Sequence, residues 1–210
     1  EACAALAKSV ADSQNLELHG IMGYEGHAVM MNDRAAREEA AKKSMGVLME
    51  ARDCIADAGY PVNVVSAGGT GTYDMTGVYP GVTEIQVGSY IFMDARYRQT
   101  GTPFKNSLFI VATIISKPRP DLAIIDAGLK SMSSEFGMPE IRRPAGMRLA
   151  FLSEEHADVV VSGADFEAGD QVEIMPSHCC TTVNLHDKLN VIKDGKVENV
   201  WNIEARGKSV

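Results

Sequence analysis

The chain has 210 residues, of which 45% are hydrophobic and 23% charged, which is the composition of an ordinary globular protein with one large domain or two smaller ones. The formal net charge of −8 argues against a nucleic-acid partner, because phosphate backbones bind basic surfaces. No segment approaches about 18 consecutive apolar residues, so we predict no membrane span and no membrane partner.

Helical and strand patterns alternate through the first half of the chain. A long helix can be capped by Asn32 or Asp33 and stopped by Gly59. The β-α-β-α-β order predicts a parallel sheet with helices outside, open or closed as a barrel. The predicted elements are a helix over 2–13, a strand over 16–22, the long helix over about 34–58, and strands over 62–67 and 84–87.

The second half has many strand patterns and few helical ones. Asp194-Gly195, between two apolar runs, is a strong signal for a two-residue β-hairpin. We therefore predict two domains, an α/β domain over 1–103 and an antiparallel β domain over 104–210. The predicted strands of the second domain cover 107–116, 122–125, 147–152, 171–175 and 190–203.

The start of the chain and its cysteines give two further expectations. The first residues lack the basic and apolar parts of a signal peptide. The sequence begins with Glu1 rather than Met and enters a helical pattern at once, so we expect a fragment that lacks its N-terminal part. Cys3, Cys54, Cys179 and Cys180 do not have the spacing of a disulfide framework. A reducing cytoplasm is the simplest compartment for them.

Two glycine-containing turns follow successive predicted strands. The first is Gly68-Gly69-Thr70-Gly71-Thr72 and the second is Gly88-Ser89-Tyr90. Glycine lets backbone N–H groups approach an anion closely, and the hydroxyl groups add further donors. The turns resemble the phosphate site at the late strand-to-helix loops of an eightfold α/β barrel. The alternative is that both are simply tight turns.

The segment Gly23-Tyr24-Glu25-Gly26-His27 follows the first predicted strand, at the end where such folds place their chemistry. Tyr24 can hydrogen-bond a ligand's ring nitrogen or act as an acid, and His27 can act as a base. A histidine in a loop exposed to water is an equally good interpretation of His27.

A His-x-Cys pair, His178 and Cys180, lies in a segment that we predict to be a strand. Side chains two apart on a strand point to the same face, so the imidazole and the thiolate would converge on one divalent metal such as zinc. Two protein ligands leave open positions for water or substrate, as in catalytic sites. The alternative is a chance pair with a buried structural cysteine.

With these motifs placed, the chain resembles the D-threonine aldolase and D-serine dehydratase family of pyridoxal-phosphate enzymes, which includes 3-hydroxy-D-aspartate aldolases and has an alanine-racemase-like fold. The likeness runs over essentially the whole chain. It implies an α/β fold in which the C-terminal part of a TIM-like (β/α) barrel is followed by an antiparallel β domain. The matching segments cover residues 23–27, 68–72, 84–90, 125–130 and 176–184.

The resemblance also implies a role for individual residues. Tyr24 resembles the tyrosine beside the cofactor ring, and Tyr24 and His27 are the expected catalytic residues. His178 and Cys180 resemble the metal ligands, for a metal that the sequence does not identify among zinc, manganese, cobalt and magnesium. The expected residues for pyridoxal 5′-phosphate are Tyr24, Gly69, Thr70, Gly71, Thr72, Gly88, Ser89 and Tyr90.

The function implied by the resemblance is a retro-aldol lyase that cleaves D-threonine or 3-hydroxy-D-aspartate into glycine and an aldehyde, and we expect a homodimer. A zinc-dependent dehydratase of D-serine or D-3-hydroxyaspartate is the alternative, and a non-catalytic pyridoxal-phosphate-binding protein is a third. Nothing matches the lysine that forms the Schiff base in this family, so we expect the 210-residue chain alone to be inactive.

Overall fold

The computed structural model describes residues 1–163 and 165–208, which form two compact units. The first unit contains Glu1–Tyr90 and Gln99–Pro103. The second contains Ile91–Arg98 and the chain from Phe104 onward. The domain boundary at residue 103 stays a prediction, with Ile91–Arg98 on the side of the second unit. Within the described ranges, no helix is long and apolar enough to cross a membrane.

The first unit is a parallel α/β structure, as predicted. Its strands lie in the order β1-β2-β3 and are parallel, with Gly23 paired to Ala67 and Ala67 paired to Ile85. The elements in chain order are α1 (Ala2–Ala11), β1 (Gly20–Gly23), α2 (Arg34–Asp57), β2 (Val64–Ala67), α3 (Tyr73–Thr76) and β3 (Glu84–Ile85).

The long helix α2 begins and packs as its sequence pattern indicates. The Asp33 side chain accepts a hydrogen bond of 2.8 Å from the N–H of Ala36, which caps the first turn. The buried face of α2 packs on β2, where Val65 and Ala67 lie in the core. This contact holds the C-terminal end of β2, and the turn that follows it, against a rigid helix. The core residues of α2 are Met45, Leu48 and Met49.

The second unit is built on a six-stranded antiparallel sheet in the order β6-β9-β4-β5-β8-β7. Its edge strands β6 and β7 approach each other, so the sheet is nearly closed around one apolar core. The elements are α4 (Ala95–Arg98), β4 (Ile110–Arg119), β5 (Leu122–Ile125), β6 (Glu140–Arg143), β7 (Met147–Leu152), β8 (Ala157–Val161), β9 (Gln171–Met175), α5 (Cys179–Val183), β10 (Lys188–Lys193) and β11 (Lys196–Asn202).

The hairpin prediction is confirmed, and two strands were missed. β10 and β11 pair antiparallel, and Asp194 and Gly195 both have positive φ values, 49° and 74°, as a two-residue hairpin turn requires. β6 and β8 were not predicted from the sequence. Each is short, four and five residues, and β8 directly follows a run of charged residues that obscures the alternation of its buried side chains.

Candidate functional site

A buried carboxylate organises the glycine-rich turn in the first unit. Glu25 lies in the loop after β1 and is only 1% exposed. Its Oε2 accepts a hydrogen bond of 3.0 Å from the N–H of Gly68, and its Oε1 accepts bonds of 2.6 and 2.5 Å from the hydroxyls of Thr72 and Thr76. A buried carboxylate is costly unless it is satisfied in this way. Glu25 therefore fixes the turn after β2 to the loop after β1.

The glycines of this turn are required by close packing. Gly68 has a φ of +76°, which favours glycine. A Cβ at Gly69 would lie 2.8 Å from the ring of Tyr24, and one at Gly71 would lie 1.7 Å from the carbonyl oxygen of Val29. The structure thus brings Tyr24, which is 47% exposed, directly against the turn. The Gly23–His27 segment and the Gly68–Thr72 turn therefore meet at one place.

The two glycine-containing turns that are predicted to form a phosphate cradle, residues 68–72 and 88–90, are also joined to each other. Thr70 is 2% exposed, and its Oγ1 accepts a hydrogen bond of 3.0 Å from the N–H of Tyr90. The space beside the Cα of Gly88 is open, with no atom within 4 Å of a Cβ built there. An open position flanked by a glycine-rich turn fits a phosphate group, which needs close approach to backbone N–H groups.

Two other predicted site residues, Thr72 and His27, lie in the loops of the first unit. The Thr72 hydroxyl is bonded to Glu25 and its N–H donates to the carbonyl oxygen of Gly69 at 3.1 Å, so Thr72 shapes the turn from within. His27 is exposed in the turn that follows Glu25. Exposure is consistent with both interpretations of His27, a base that meets substrate and a loop side chain in water.

The second unit holds the His-x-Cys pair, and here the predicted strand is wrong. β9 ends at Met175, His178 is the extended residue before a short helix, and Cys179–Val183 is helical. Asp94, which is buried, causes the change of direction. Its carboxylate accepts hydrogen bonds of 3.0 Å from the N–H of Cys179 and 2.8 Å from the N–H of Tyr97. This distant cap outweighs the strand preference of the Thr-Thr-Val segment.

His178 and Cys180 nevertheless interact, and the carboxylate of Glu135 contacts His178. Glu135 contacts the Nδ1 of His178 and accepts a hydrogen bond of 3.0 Å from Thr181. Burial opposes the charged imidazole, but hydrogen bonds to Cys180 and Glu135 prevail and raise the pKa of His178 to about 9. The hydrogen bond from His178 in turn lowers the pKa of Glu135. An imidazole and a thiol in contact are a suitable donor pair for a borderline metal such as zinc.

The arrangement is open. Among the described residues, no group of three or more His, Cys, Asp or Glu side chains is placed to enclose a metal ion. The metal-binding role of His178 and Cys180 therefore stays a prediction.

Three carboxylates that position the candidate site, Glu25, Asp94 and Glu135, were not predicted from the sequence. Glu25 stands within the quoted Gly-Tyr-Glu-Gly-His segment, where its place after a strand was the available signal. Asp94 and Glu135 lie 85 and 43 residues from the groups they bind. No local pattern identifies such pairs.

Replacement of Glu25 tests the origin of the turn's shape. Glu25→Gln should destabilise the protein by about 1–3 kcal/mol, because an amide NH₂ group would face one of three buried donors. Glu50→Gln is the matched control, since Glu50 is exposed on α2 in the same unit. Chemical denaturation measures the free energy of unfolding, and equal values for both variants would contradict the role of Glu25.

A pH dependence of stability follows from the raised pKa of His178. A group whose pKa is higher in the folded state stabilises that state fully below its unfolded value, here 6.5, and the contribution disappears as the pH rises to about 9. In the presence of a chelator, the free energy of unfolding of the metal-free protein should fall by about 1–2 kcal/mol across this pH range. This value is reduced because Glu135 is partly exposed and solvent screens its interaction with His178. The loss should be absent in His178→Asn and retained in His156→Asn, a change at an exposed histidine. Thermal melts over this pH range provide the measurement.

Comparison with known proteins finds relatives that match nearly the whole chain. The family model "Putative serine dehydratase domain" matches residues 107–192. D-threonine aldolase of Arthrobacter sp. is 37% identical over 97% of this chain and 55% of the relative, and 3-hydroxy-D-aspartate aldolase of Paracoccus denitrificans is 35% identical over 99% and 56%. The D-threo-3-hydroxyaspartate dehydratase of Delftia sp. is 27% identical over 80% of this chain and 50% of the relative.

The fold agrees with these sequence matches. The crystal structure of D-threonine aldolase from Filomicrobium marinum superposes with a TM-score of 0.94 at 29% identity, covering 99% of this chain and 58% of that one. The chain spans about half the length of the curated relatives it matches. It belongs to the D-threonine aldolase and D-serine dehydratase-like family, whose members have the alanine-racemase fold of a barrel and a β domain.

Proposed function

We propose that this chain is the cofactor- and metal-binding part of a lyase that cleaves D-β-hydroxy amino acids, of the D-threonine or 3-hydroxy-D-aspartate type, to glycine and an aldehyde. The observation that carries the proposal is that two aldolases match nearly the entire chain, and match it more closely than the dehydratase relative does. The parent enzyme would use pyridoxal 5′-phosphate and a divalent metal, and would act as a homodimer.

The cradle in the first unit supports the cofactor part of the proposal. Backbone N–H groups of Gly71, Gly88 and Ser89 would hold the phosphate, in the open space beside Gly88, whereas the N–H of Gly69 already donates to Thr72 Oγ1 at 3.1 Å within the turn. Tyr24, packed on Gly69, would border the cofactor ring. When bound, pyridoxal phosphate supplies an electron sink for the electrons of the broken Cα–Cβ bond. The role of Glu25 is to keep the turn in shape without meeting the substrate.

His178 and Cys180 support the metal part of the proposal. Their contact with each other brings a nitrogen and a sulfur donor together at the start of α5. A divalent metal held there would lower the pKa of the substrate's β-hydroxyl. Tyr24 and His27 are the proposed catalytic residues, Tyr24 because it packs on the glycine-rich turn and His27 because it is exposed and its imidazole can act as a base.

The Schiff-base lysine is assigned to no residue of this chain. Lys8, Lys42 and Lys130 are exposed and form ion pairs with neighbouring carboxylates, at 2.5, 2.6 and 2.9 Å. Surface lysines paired in this way are not placed to attack a bound aldehyde. We therefore propose that the 210-residue chain by itself does not catalyse the reaction.

A zinc-dependent dehydratase is the second candidate, favoured by one specific feature. The second donor of the His-x-Cys pair is a cysteine, the choice that the resemblance associates with the dehydratases. In that reaction Cα is deprotonated and the β-hydroxyl departs as hydroxide. The metal would lie beside the same oxygen in both reactions, so the donor pair is compatible with either.

Product analysis separates the two reactions. The intact protein that contains this chain, loaded with pyridoxal phosphate and Mn²⁺ or Zn²⁺, should convert D-threonine to acetaldehyde and glycine, and L-threonine should give neither product. Under the dehydratase alternative, D-serine should yield pyruvate and ammonia. Formation of 2-oxo acids without any aldehyde would overturn the aldolase proposal.

Metal content tests the donor pair independently of activity. His178→Ala and Cys180→Ala should each lower bound Zn²⁺ or Mn²⁺, measured by elemental analysis of the purified protein, because each removes one of two donors. The matched controls are His156→Ala and Cys3→Ala, at exposed positions outside the pair. Unchanged metal content in both site variants would contradict the proposed site.

A further inference from the structure

The loop formed by residues 131–136 is tied to the segment that begins α5. Ser177 donates a hydrogen bond of 2.8 Å from its hydroxyl to the carbonyl oxygen of Ser133. The N–H of Ser133 donates to Thr182 Oγ1 at 3.1 Å. The Nε2 of His186 lies 2.8 Å from the carbonyl oxygen of Ser131. Ser177 and Thr182 are buried, so these contacts fix the loop relative to both ends of the short helix.

This fixed loop presents two side chains to His178. Glu135 contacts Nδ1, and the ring of Phe136 lies with its centroid 4.4 Å from that of the imidazole, at an interplanar angle of 31°. The Thr181 hydroxyl donates to the same Oε1 of Glu135 at 3.0 Å, which restrains the carboxylate itself. The imidazole is therefore held at one edge and on one face.

We propose that Glu135 is a positioning residue for the metal site, an inference that rests on the proposed function. By accepting the Nδ1 proton of His178, the carboxylate selects one tautomer and leaves Nε2 as the nitrogen that can bind a metal. It also limits rotation of the ring, so that the imidazole keeps its place beside Cys180. Glu135 acts through His178 and does not itself bind the metal.

The location of Glu135 agrees with a supporting role, in which His178 binds the metal and Glu135 holds the imidazole. The side chain of His178 is 16% exposed, whereas that of Glu135 is 44% exposed. The imidazole lies deeper and the carboxylate supports it from the solvent side. The pair is made by residues from different turns of the chain, so the orientation of His178 depends on the 131–136 loop being in place.

Metal titration of two variants tests the inference. The intact protein is stripped with a chelator and titrated with Zn²⁺ against a competing chromophoric chelator. Glu135→Ala should weaken Zn²⁺ binding by about 10–100-fold, the range found when such supporting partners are removed. Glu135→Gln should recover most of the affinity, because the amide oxygen still accepts the Nδ1 proton. Glu198→Gln is the control, since Glu198 is an ion-paired surface glutamate in the same unit.

The outcomes distinguish the inference from the function on which it rests. If the unmodified protein binds Zn²⁺ and Glu135→Ala binds it equally well, the inference fails while the metal site stands. If Glu135→Gln is as weak as Glu135→Ala, the carboxylate is needed as a charge or a direct ligand, and positioning is wrong. Absence of Zn²⁺ binding by the unmodified protein contradicts the proposed function itself. Heteronuclear NMR of the His178 ring in the unmodified protein loaded with Zn²⁺ should show a protonated Nδ1, and a protonated Nε2 would overturn the inference.

Discussion

Buried carboxylates that bind groups from distant parts of the chain position the candidate site in each unit. Glu25 does so in the first unit, where one side chain receives an N–H and two hydroxyls of the segment after β2. Asp94 does so in the second, where it caps the start of α5. A charge removed from water must find such partners, so these side chains impose the shape of the loops around them. The glycine-rich turn and the His178 segment both depend on that requirement.

This constraint explains how a short-range preference was overruled at the His-x-Cys pair. The apolar and β-branched residues after Pro176 favour an extended chain, and extension would place His178 and Cys180 on one face. Asp94 instead satisfies the N–H of Cys179, and the chain turns into a helix at that residue. The two donors still meet, because His178 stands just before the helix and Cys180 lies in its first turn. The predicted proximity is retained although the predicted geometry is not.

The openness of the donor pair has a physical consequence for its support. A metal enclosed by four protein ligands fixes each of them in place, whereas two ligands depend on their surroundings for orientation. Here the surroundings are Glu135, Phe136 and the hydrogen bonds of the 131–136 loop. The glycine-rich turn of the first unit also depends on the protein groups around it. Its glycines are required by contacts with Tyr24 and Val29 as much as by any ligand.

The sequence by itself determined the features that depend on residues close together in the chain. Helix α2 with its Asp33 cap, the parallel order of the first unit and the Asp194-Gly195 hairpin were predictable, because periodicity, capping and turn chemistry are local. The family resemblance rests on short motifs, whose residues are also close together in the chain. Only the tertiary structure decided that His178 precedes a helix, that Thr72 bonds to Glu25, and that Glu135 supports the imidazole. Those pairings join residues 43, 47 and 85 positions apart in the chain, and hydrogen-bond satisfaction over such separations is determined only when the chain is folded.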